Sequence, residues 1–322
     1  MTARTPEPTG TRRPRIAVIG DALIDELRSP SGTREFVGGA ALNVAVGLSL
    51  LGEEVTLLAM VGDDAPGDRI RSYLADYGVH LVASPSPLGT SRAVSDRADG
   101  GEPRYEFNAA AQARRLAFDD RAVAALDDAD LVVVSCFPFD DVDQTEALRT
   151  AITAPRDRLV IDGNPRSGMM RDRDEFLRGF ESLAHEALLV KVGDEDAELL
   201  LDAPLAEFVE RLRAPALSLG ADSRAGGPAV LGTAGRLGAA VHHDSGVARA
   251  GIVQLDGPVV DTMGAGDATL SAVVHRLAVD GIPTTDAAWS ATLAEAMTIA
   301  AATVRSEGAL LQRPPQESSL GS

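Results

Sequence analysis

The sequence predicts an α/β chain: a mostly parallel sheet flanked by helices, with a small β-sheet set apart from it. Three observations carry this. Short apolar runs of strand length alternate with helical stretches from Ile16 to Arg305. The rhythm breaks between Pro85 and Asn108, where Pro and Gly are frequent and polar residues alternate with apolar or aromatic ones. Last, the glycine-rich turn Asp261-Thr262-Met263-Gly264-Ala265-Gly266-Asp267 sits between a β-like run, Gly251–Val260, and a stretch with no helix breaker until Gly281.

Ile16–Gly20 reads as a buried first strand, followed by Asp21-Ala-Leu-Ile-Asp25. A dinucleotide-binding chain would carry G-x-G-x-x-G here, and its absence argues against a nicotinamide dehydrogenase. Residues 28–36 are polar and turn-rich. Gly38 and Gly39 then allow close approach of the backbone. Asn43 opens or lies early in a helix over Val44–Leu51 that stops at Gly52. It reads either as a helix cap or as an amide that donates to and accepts from a polyol.

Val55–Val61 reads as a strand, Asp68–Tyr77 as a helix and Val79–Val82 as a short strand. Ser91–Arg97 and Arg104–Asn108 predict two antiparallel strands around Asp99-Gly100-Gly101, forming the small sheet with residues near 22–37. Helices are expected over Asp119–Asp128, Asp143–Ala151, Asp174–His185, Glu195–Leu201, Pro204–Arg213 and Asp286–Arg305. Strands are expected over Leu131–Cys136, Leu159–Ile161, Leu188–Val192 and from Ala229 into Thr233, with Gly238–His242 as hairpin partner. Asp25, Asn164, Lys191, Thr233 and Asp267 all end or follow expected strands. In open α/β sheets that is the side where ligands bind.

The turn Gly264-Ala265-Gly266-Asp267 leaves backbone N–H groups bare before a helix, which makes an anion site. A carboxylate in such a turn suggests a base rather than a ligand; the plainer alternative is an N-cap aspartate. Net charge is −18, which argues against nucleic acid or an anionic membrane as partner. An anionic substrate must then be met by local donors and a metal ion. Lys191 is the single lysine, every other basic side chain being arginine. Cys136 is the single cysteine, so no internal disulfide forms, which fits a reducing, cytoplasmic setting. No apolar run reaches membrane-spanning length, and the five histidines lack metal-ligand spacing. Residues 1–13 and 313–322 read as disordered tails around one domain over 14–312.

Asp25 with Gly38-Gly39-Ala40-Ala41-Leu42-Asn43, then Val61-Gly62-Asp63-Asp64 with Gly67, then Asp261-Thr262 with Gly264-Ala265-Gly266-Asp267 resemble, in order and separation, the signatures of the ribokinase-like (PfkB) carbohydrate kinase family. The match runs from about Ile16 to Gly308. The resemblance implies a Rossmann-like domain with a β-sheet lid near 22–37 and 88–108. It implies ATP-dependent phosphorylation of a small carbohydrate, with Asp267 as base and the Gly264–Asp267 amides as anion hole. Asp25, Gly38, Gly39, Asn43, Arg104, Asn164 and Arg166 would meet the sugar. Lys191, Thr233, Gly235, Gly238 and Thr262 would line the nucleotide, and Asp196 would hold Mg2+ through water. The resemblance also allows K+ between the Asp261–Met263 and Ser306–Gly308 loops, and a homodimer through the lid.

The chain departs from the family where Asn-x-x-Glu would organise Mg2+: it has Gly193-Asp194-Glu195-Asp196. No G-x-x-x-x-G-K-[ST] motif occurs, so a P-loop ATPase is not supported. Asp21–Asp25 and Arg104–Ala111 look more like fructokinases than adenosine kinases. Fructose or a related hexose leads; ribose, 2-keto-3-deoxygluconate and a nucleoside follow. A catalytically weak sugar or nucleotide sensor is the alternative of another class.

Overall fold

The computed structural model describes residues 12–29, 32–96, 104–214 and 227–314. The first strand, β1 (Arg15–Gly20), is buried on both sides. Ile16 and Val18 enter one apolar cluster, and Ala17 and Ile19 enter the other. A strand covered on both faces needs helices above and below it.

The chain then runs out through β2 (Leu23–Ser29) and β3 (Gly32–Gly38). It returns as α1 (Ala40–Leu51), β4 (Glu54–Gly62), α2 (Ala65–Asp76) and β5 (His80–Ser86), and leaves again as β6 (Arg92–Asp96) and β7 (Arg104–Phe107). Next come α3 (Ala109–Gln112), α4 (Asp120–Asp128), β8 (Leu131–Ser135), α5 (Val142–Ala151), α6 (Pro155–Arg158), β9 (Leu159–Asp162) and α7 (Arg173–Ala184). The last part holds β10 (Leu189–Gly193), α8 (Asp194–Leu201), α9 (Leu205–Arg213), β11 (Ala229–Thr233), β12 (Ala239–His243), β13 (Gly246–Ala250), α10 (Ala265–Asp280) and α11 (Asp286–Thr303). Several helices begin on aspartates: Asp64, Asp119, Asp141 and Asp172 each accept the N–H three residues on. Part of the acidic excess is thus local helix capping.

Among the described residues the main sheet has nine strands, ordered β13-β12-β11-β10-β9-β8-β1-β4-β5. Pairing is parallel from β5 to β11 and antiparallel in the β11-β12-β13 edge. Strand order turns at β1, with β4 on one side and β8 on the other, so a cleft opens at the carboxyl ends there. Helices α1, α10 and α11 cover one face; α4, α5, α7, α8 and α9 cover the other. Trp289 is buried in the first cluster, as expected of a core residue. A second sheet, β3-β2-β6-β7, forms the lid. Its β2–β6 pair is parallel and its outer pairs are antiparallel.

Three expectations need correction. The β-like run Gly251–Val260 is not a strand; the edge strand is Gly246–Ala250, just before it. The run lies beyond the sheet edge, and the Arg305 guanidinium takes the carbonyls of Leu255 and Asp256 that a ladder would have used. Helix α1 begins at Ala40 rather than Val44, because Gly39, at φ 110°, is its N-cap. Asp25 does not follow the first main-sheet strand directly but lies within β2, paired with Phe36 and Ala93. The expected turn at 99–101 lies outside the described residues, as do 1–11 and 315–322 of the two tails. Arg12, in the expected first tail, bonds Asp130 at 2.7 Å.

Candidate active site

Helix α10 starts from a left-handed glycine, Gly264, at φ 77°. A Cβ there would lie 2.6 Å from both the Cα and the carbonyl oxygen of Ala309, so only glycine fits. Asp261 fastens this turn. Its Oδ1 accepts the Met263 N–H at 3.0 Å and its Oδ2 accepts the Gly308 N–H at 3.2 Å. The Val260 and Asp261 amides both donate to the Val304 carbonyl. Thr262 is exposed and accepts the Ala265 N–H through its carbonyl. The next N–H groups of α10, those of Gly266 and Asp267, have no preceding helical turn to bond, and the positive pole of the helix adds to them.

Asp267 is the third residue of α10, not its cap. Its Oδ2 accepts from Asn43 Nδ2 at 2.8 Å. Asn43 is likewise no cap: it is the fourth residue of α1, with its own N–H bonded to the Gly39 carbonyl at 2.8 Å. The two helices thus hold the carboxylate between them. Burial pushes Asp267 up to about 6; the Asn43 bond opposes this, Asp162 adds to it, and Lys191 and Arg166 oppose it. A carboxylate in that range suits a base near neutral pH.

Above the cleft, Asp25 points from β2 toward the same space. Burial, then the neighbouring Asp21, push it up to about 7; Arg166 opposes them and Asp267 adds to them. A side chain on Gly38 would fall on the Asp25 carboxylate, and one on Gly39 would lie 2.8 Å from the Asp21 carbonyl. Both glycines let the lid root pass close to these acids. Asn164 is buried in the left-handed region at φ 40°, a conformation asparagine tolerates. Arg166, two residues on, keeps solvent contact, yet its charge acts on Asp21, Asp25, Asp196 and Asp267. Arg104 begins β7, opposite Asp96.

On the other side of Asp267 stands Lys191, buried in β10. Its Nζ donates to Asp162 Oδ1 at 3.0 Å. A Cβ on Gly266 would lie 3.6 Å from the same nitrogen, so the ammonium borders the glycine turn. Asp196, early in α8, accepts the Gly193 N–H at 2.7 Å through Oδ2. Burial raises the Asp196 carboxyl against the pull of Lys191. Thr233 ends β11 beside these groups, its Oγ1 3.5 Å from the Val192 carbonyl. Gly235 and Gly238 lie at φ 45° and 89° in the turn between β11 and β12. A Cβ on Gly238 would run into the Ala250 carbonyl, which gives that glycine a structural reason of its own.

Among the described residues no three carboxylate, thiol or imidazole side chains gather into a cation cage. Lys191 already balances Asp162. The donors present therefore fit a Mg2+ carried mainly by nucleotide phosphates and water, with Asp196 as the nearby carboxylate. They do not fit a metal held by protein ligands alone.

Two residues of the cluster escaped the sequence reading. Asp162 is fully buried and fixes Lys191. Asp21 accepts the Ala41 N–H at 3.0 Å through Oδ1 and the Leu42 N–H at 3.2 Å through its carbonyl, and so sets the start of α1. Its position alone offered a signal: Asp162 ends the main-sheet strand that Asn164 follows, whereas Lys191 lies within β10 rather than at its end.

The pfkB family carbohydrate kinase model matches residues 14–315. The chain is similar to a fructokinase of Salmonella typhimurium, 27% identical over 313 residues, covering 94% of this chain and 97% of that protein. Among solved structures it resembles the fructokinase with bound ATP from Xylella fastidiosa (TM-score 0.71, 22% identity, 92% and 94% of the two chains covered). It also resembles the aminoimidazole riboside kinase from Salmonella enterica complexed with aminoimidazole riboside and an ATP analog (TM-score 0.68, 21% identity, 92% and 95% covered). With a family match spanning nearly its whole length, on a parallel sheet topped by a β-lid, this chain belongs to the pfkB family of carbohydrate kinases.

Proposed function

We propose that the protein transfers the γ-phosphoryl group of ATP to a hydroxyl of a small carbohydrate, with fructose or a related hexose as the leading acceptor. The observation that carries this is the carboxylate of Asp267, held by Asn43 at the head of the Gly264–Gly266 turn with the Lys191 ammonium alongside. A base, an anion hole and a cation meeting at one point suit phosphoryl transfer, where positioning and charge stabilisation do most of the work.

In this reading Asp25, Gly38, Gly39, Asn43, Asn164, Arg166 and Arg104 hold the acceptor under the lid. Asp267 takes the proton of the attacking hydroxyl as its oxygen bonds to the γ-phosphorus and the bond to the β-phosphate oxygen breaks. The amides of Gly264, Gly266 and Asp267 receive the charge that develops on the phosphoryl oxygens, and that of Ala265 joins them by releasing the Thr262 carbonyl. Thr233, Gly235, Gly238, Thr262 and Lys191 line the nucleotide phosphates. Mg2+, held by phosphates and by water on Asp196, would neutralise phosphate charge when bound. The lid, with Tyr105 exposed on β7, is the surface for a homodimer; a monomer mass in light scattering counts against that extension.

The fructose preference draws on the named fructokinase relative, whose 27% identity spans nearly both chains. The test is ADP release with Mg-ATP across fructose, other hexoses, ribose, 2-keto-3-deoxygluconate and nucleosides. One strongly preferred sugar supports the reading. A nucleoside preferred over every sugar replaces the acceptor class, and binding without turnover replaces catalysis with sensing.

A further inference from the structure

Asp162 and Ser135, which have no part in the proposed reaction, form a row with Lys191, which does. They stand at matched positions on three neighbouring parallel strands: Ser135 of β8 is in register with Asp162 of β9, and Asp162 with Lys191 of β10. Strand pairing alone therefore sets their side chains along one line at the cleft floor. Asp162 Oδ1 accepts Lys191 Nζ at 3.0 Å, and its Oδ2 is 3.4 Å from Ser135 Oγ. Both charged side chains are almost wholly removed from solvent.

Lys191 has a choice of carboxylates, since Asp162, Asp196 and Asp267 all act on it. Among the described residues its one ion pair is with Asp162. Asp267 instead receives a neutral amide hydrogen bond from Asn43. This distribution matters chemically. An ammonium in direct contact with Asp267 would occupy the oxygen that must receive a proton and weaken it as a base. Held by Asp162, the same ammonium faces the Gly266 backbone, where phosphoryl oxygens would arrive.

We propose that Asp162 is a positioning residue that captures the chain's single lysine, keeping its ammonium off the base Asp267 and against the anion turn. Ser135 supports the outer oxygen of Asp162. The inference rests on the kinase reading for its purpose, but the pairing itself is testable without turnover.

The groups acting on Asp267 are Asn43 from α1, Asp162 from β9, Arg166 from the loop after it, and Lys191 from β10; Asp25 on β2 faces it from the lid. Removing Asp162 withdraws a negative neighbour and frees the ammonium to approach Asp267, so Asp267 should titrate lower. Removing Lys191 withdraws a positive neighbour, so Asp267 should titrate higher. The experiment is carboxyl-carbon NMR of the full chain labelled in aspartate, with Asp267 assigned from Asp267→Asn. The expected result is opposite shifts in Asp162→Asn and Lys191→Met. A fixed Asp267 in Asp162→Asn, or a shift in the same direction as Lys191→Met, overturns the proposal.

A single variant leaves a buried charge without its partner, which can unfold the chain. The double variant Asp162→Asn/Lys191→Met removes both charges. There Asp267 should titrate close to wild type; a shift as large as that of Lys191→Met alone overturns the proposal. With an active acceptor, Asp162→Asn should lower kcat on the order of 10²-fold and leave KM for the sugar nearly unchanged. If wild type phosphorylates nothing, the kinase reading fails separately and the carboxyl titrations still decide the pairing.

Discussion

Alanine at Gly264 strikes the anion turn at its tightest point. The new Cβ would meet Ala309 Cα and its carbonyl oxygen at 2.6 Å, whereas ordinary contact begins near 3.4 Å. Either the turn or the C-terminal segment must therefore move by roughly 0.8 Å. The segment is poorly free to do so, because Asp261 ties Gly308 to the same turn. The left-handed backbone adds about 1–2 kcal/mol against a residue with a side chain. Gly264→Ala should thus lower Tm by a few degrees. It should lower kcat on the order of 10²-fold, since displacement near 1 Å misaligns the donors with the moving phosphoryl group. Gly266→Ala is the folding control: its Cβ meets only the end of Lys191, at 3.6 Å, so its Tm should not fall. Coupled ADP release and thermal denaturation by circular dichroism read both effects. A Gly264→Ala protein with wild-type Tm and turnover within about threefold of wild type would refute the argument that Ala309 pins the anion turn.

Other outcomes follow from the same geometry. Gly38→Ala should raise KM for the sugar and spare ATP affinity, because its Cβ collides with the Asp25 carboxylate rather than the nucleotide side; equal loss of both, read by calorimetry, contradicts that division. Asp25 and Asp267 are both raised in the folded chain, to about 7 and about 6. The folded state therefore holds protons the unfolded chain has released, and the stability they contribute is complete below the ordinary aspartate range and lost as pH rises through 6 to 7. Asp267→Asn should consequently raise Tm at pH 8 while turnover falls about 10²- to 10⁴-fold; a lower Tm at that pH speaks against the buried-charge account. Arg34 of the lid pairs with Glu307 next to the Asp261 tie, but both are solvent-exposed. Arg34→Ala should leave the urea-unfolding midpoint close to that of wild type, and a clear drop would give the pair more weight than its exposure allows.

Much of this site was legible because the sheet sorts residues by strand position. Lys191 and Asn164 could be placed together once their strands were placed, since parallel strands share one ligand-bearing end. The glycine turn before α10 was legible from Gly264 and Gly266, and Ala309 gives the steric reason for the first of them. Asp162 escaped because its role is a pair across two strands, and register between strands is not written locally in either. Asn43 was narrowed to a cap or a polyol ligand; that its amide meets Asp267, 224 positions away, depends on the packing of α1 against α10. Gly251–Val260 misled because its composition suits a strand while no neighbour offers it a ladder. The departure at Gly193–Asp196 becomes interpretable only in three dimensions: Asp196 reaches back to the Gly193 amide, and Lys191 lies close enough to influence its charge.

The most direct test of the central claim is phosphorus NMR of the products formed by wild type and by Asp267→Asn, each with Mg-ATP and the acceptor panel. The account predicts a sugar phosphate appearing with ADP in equal amounts for wild type, and loss of both signals in the variant while ATP still binds. Inorganic phosphate without any sugar phosphate, or undiminished sugar phosphate from Asp267→Asn, would contradict it.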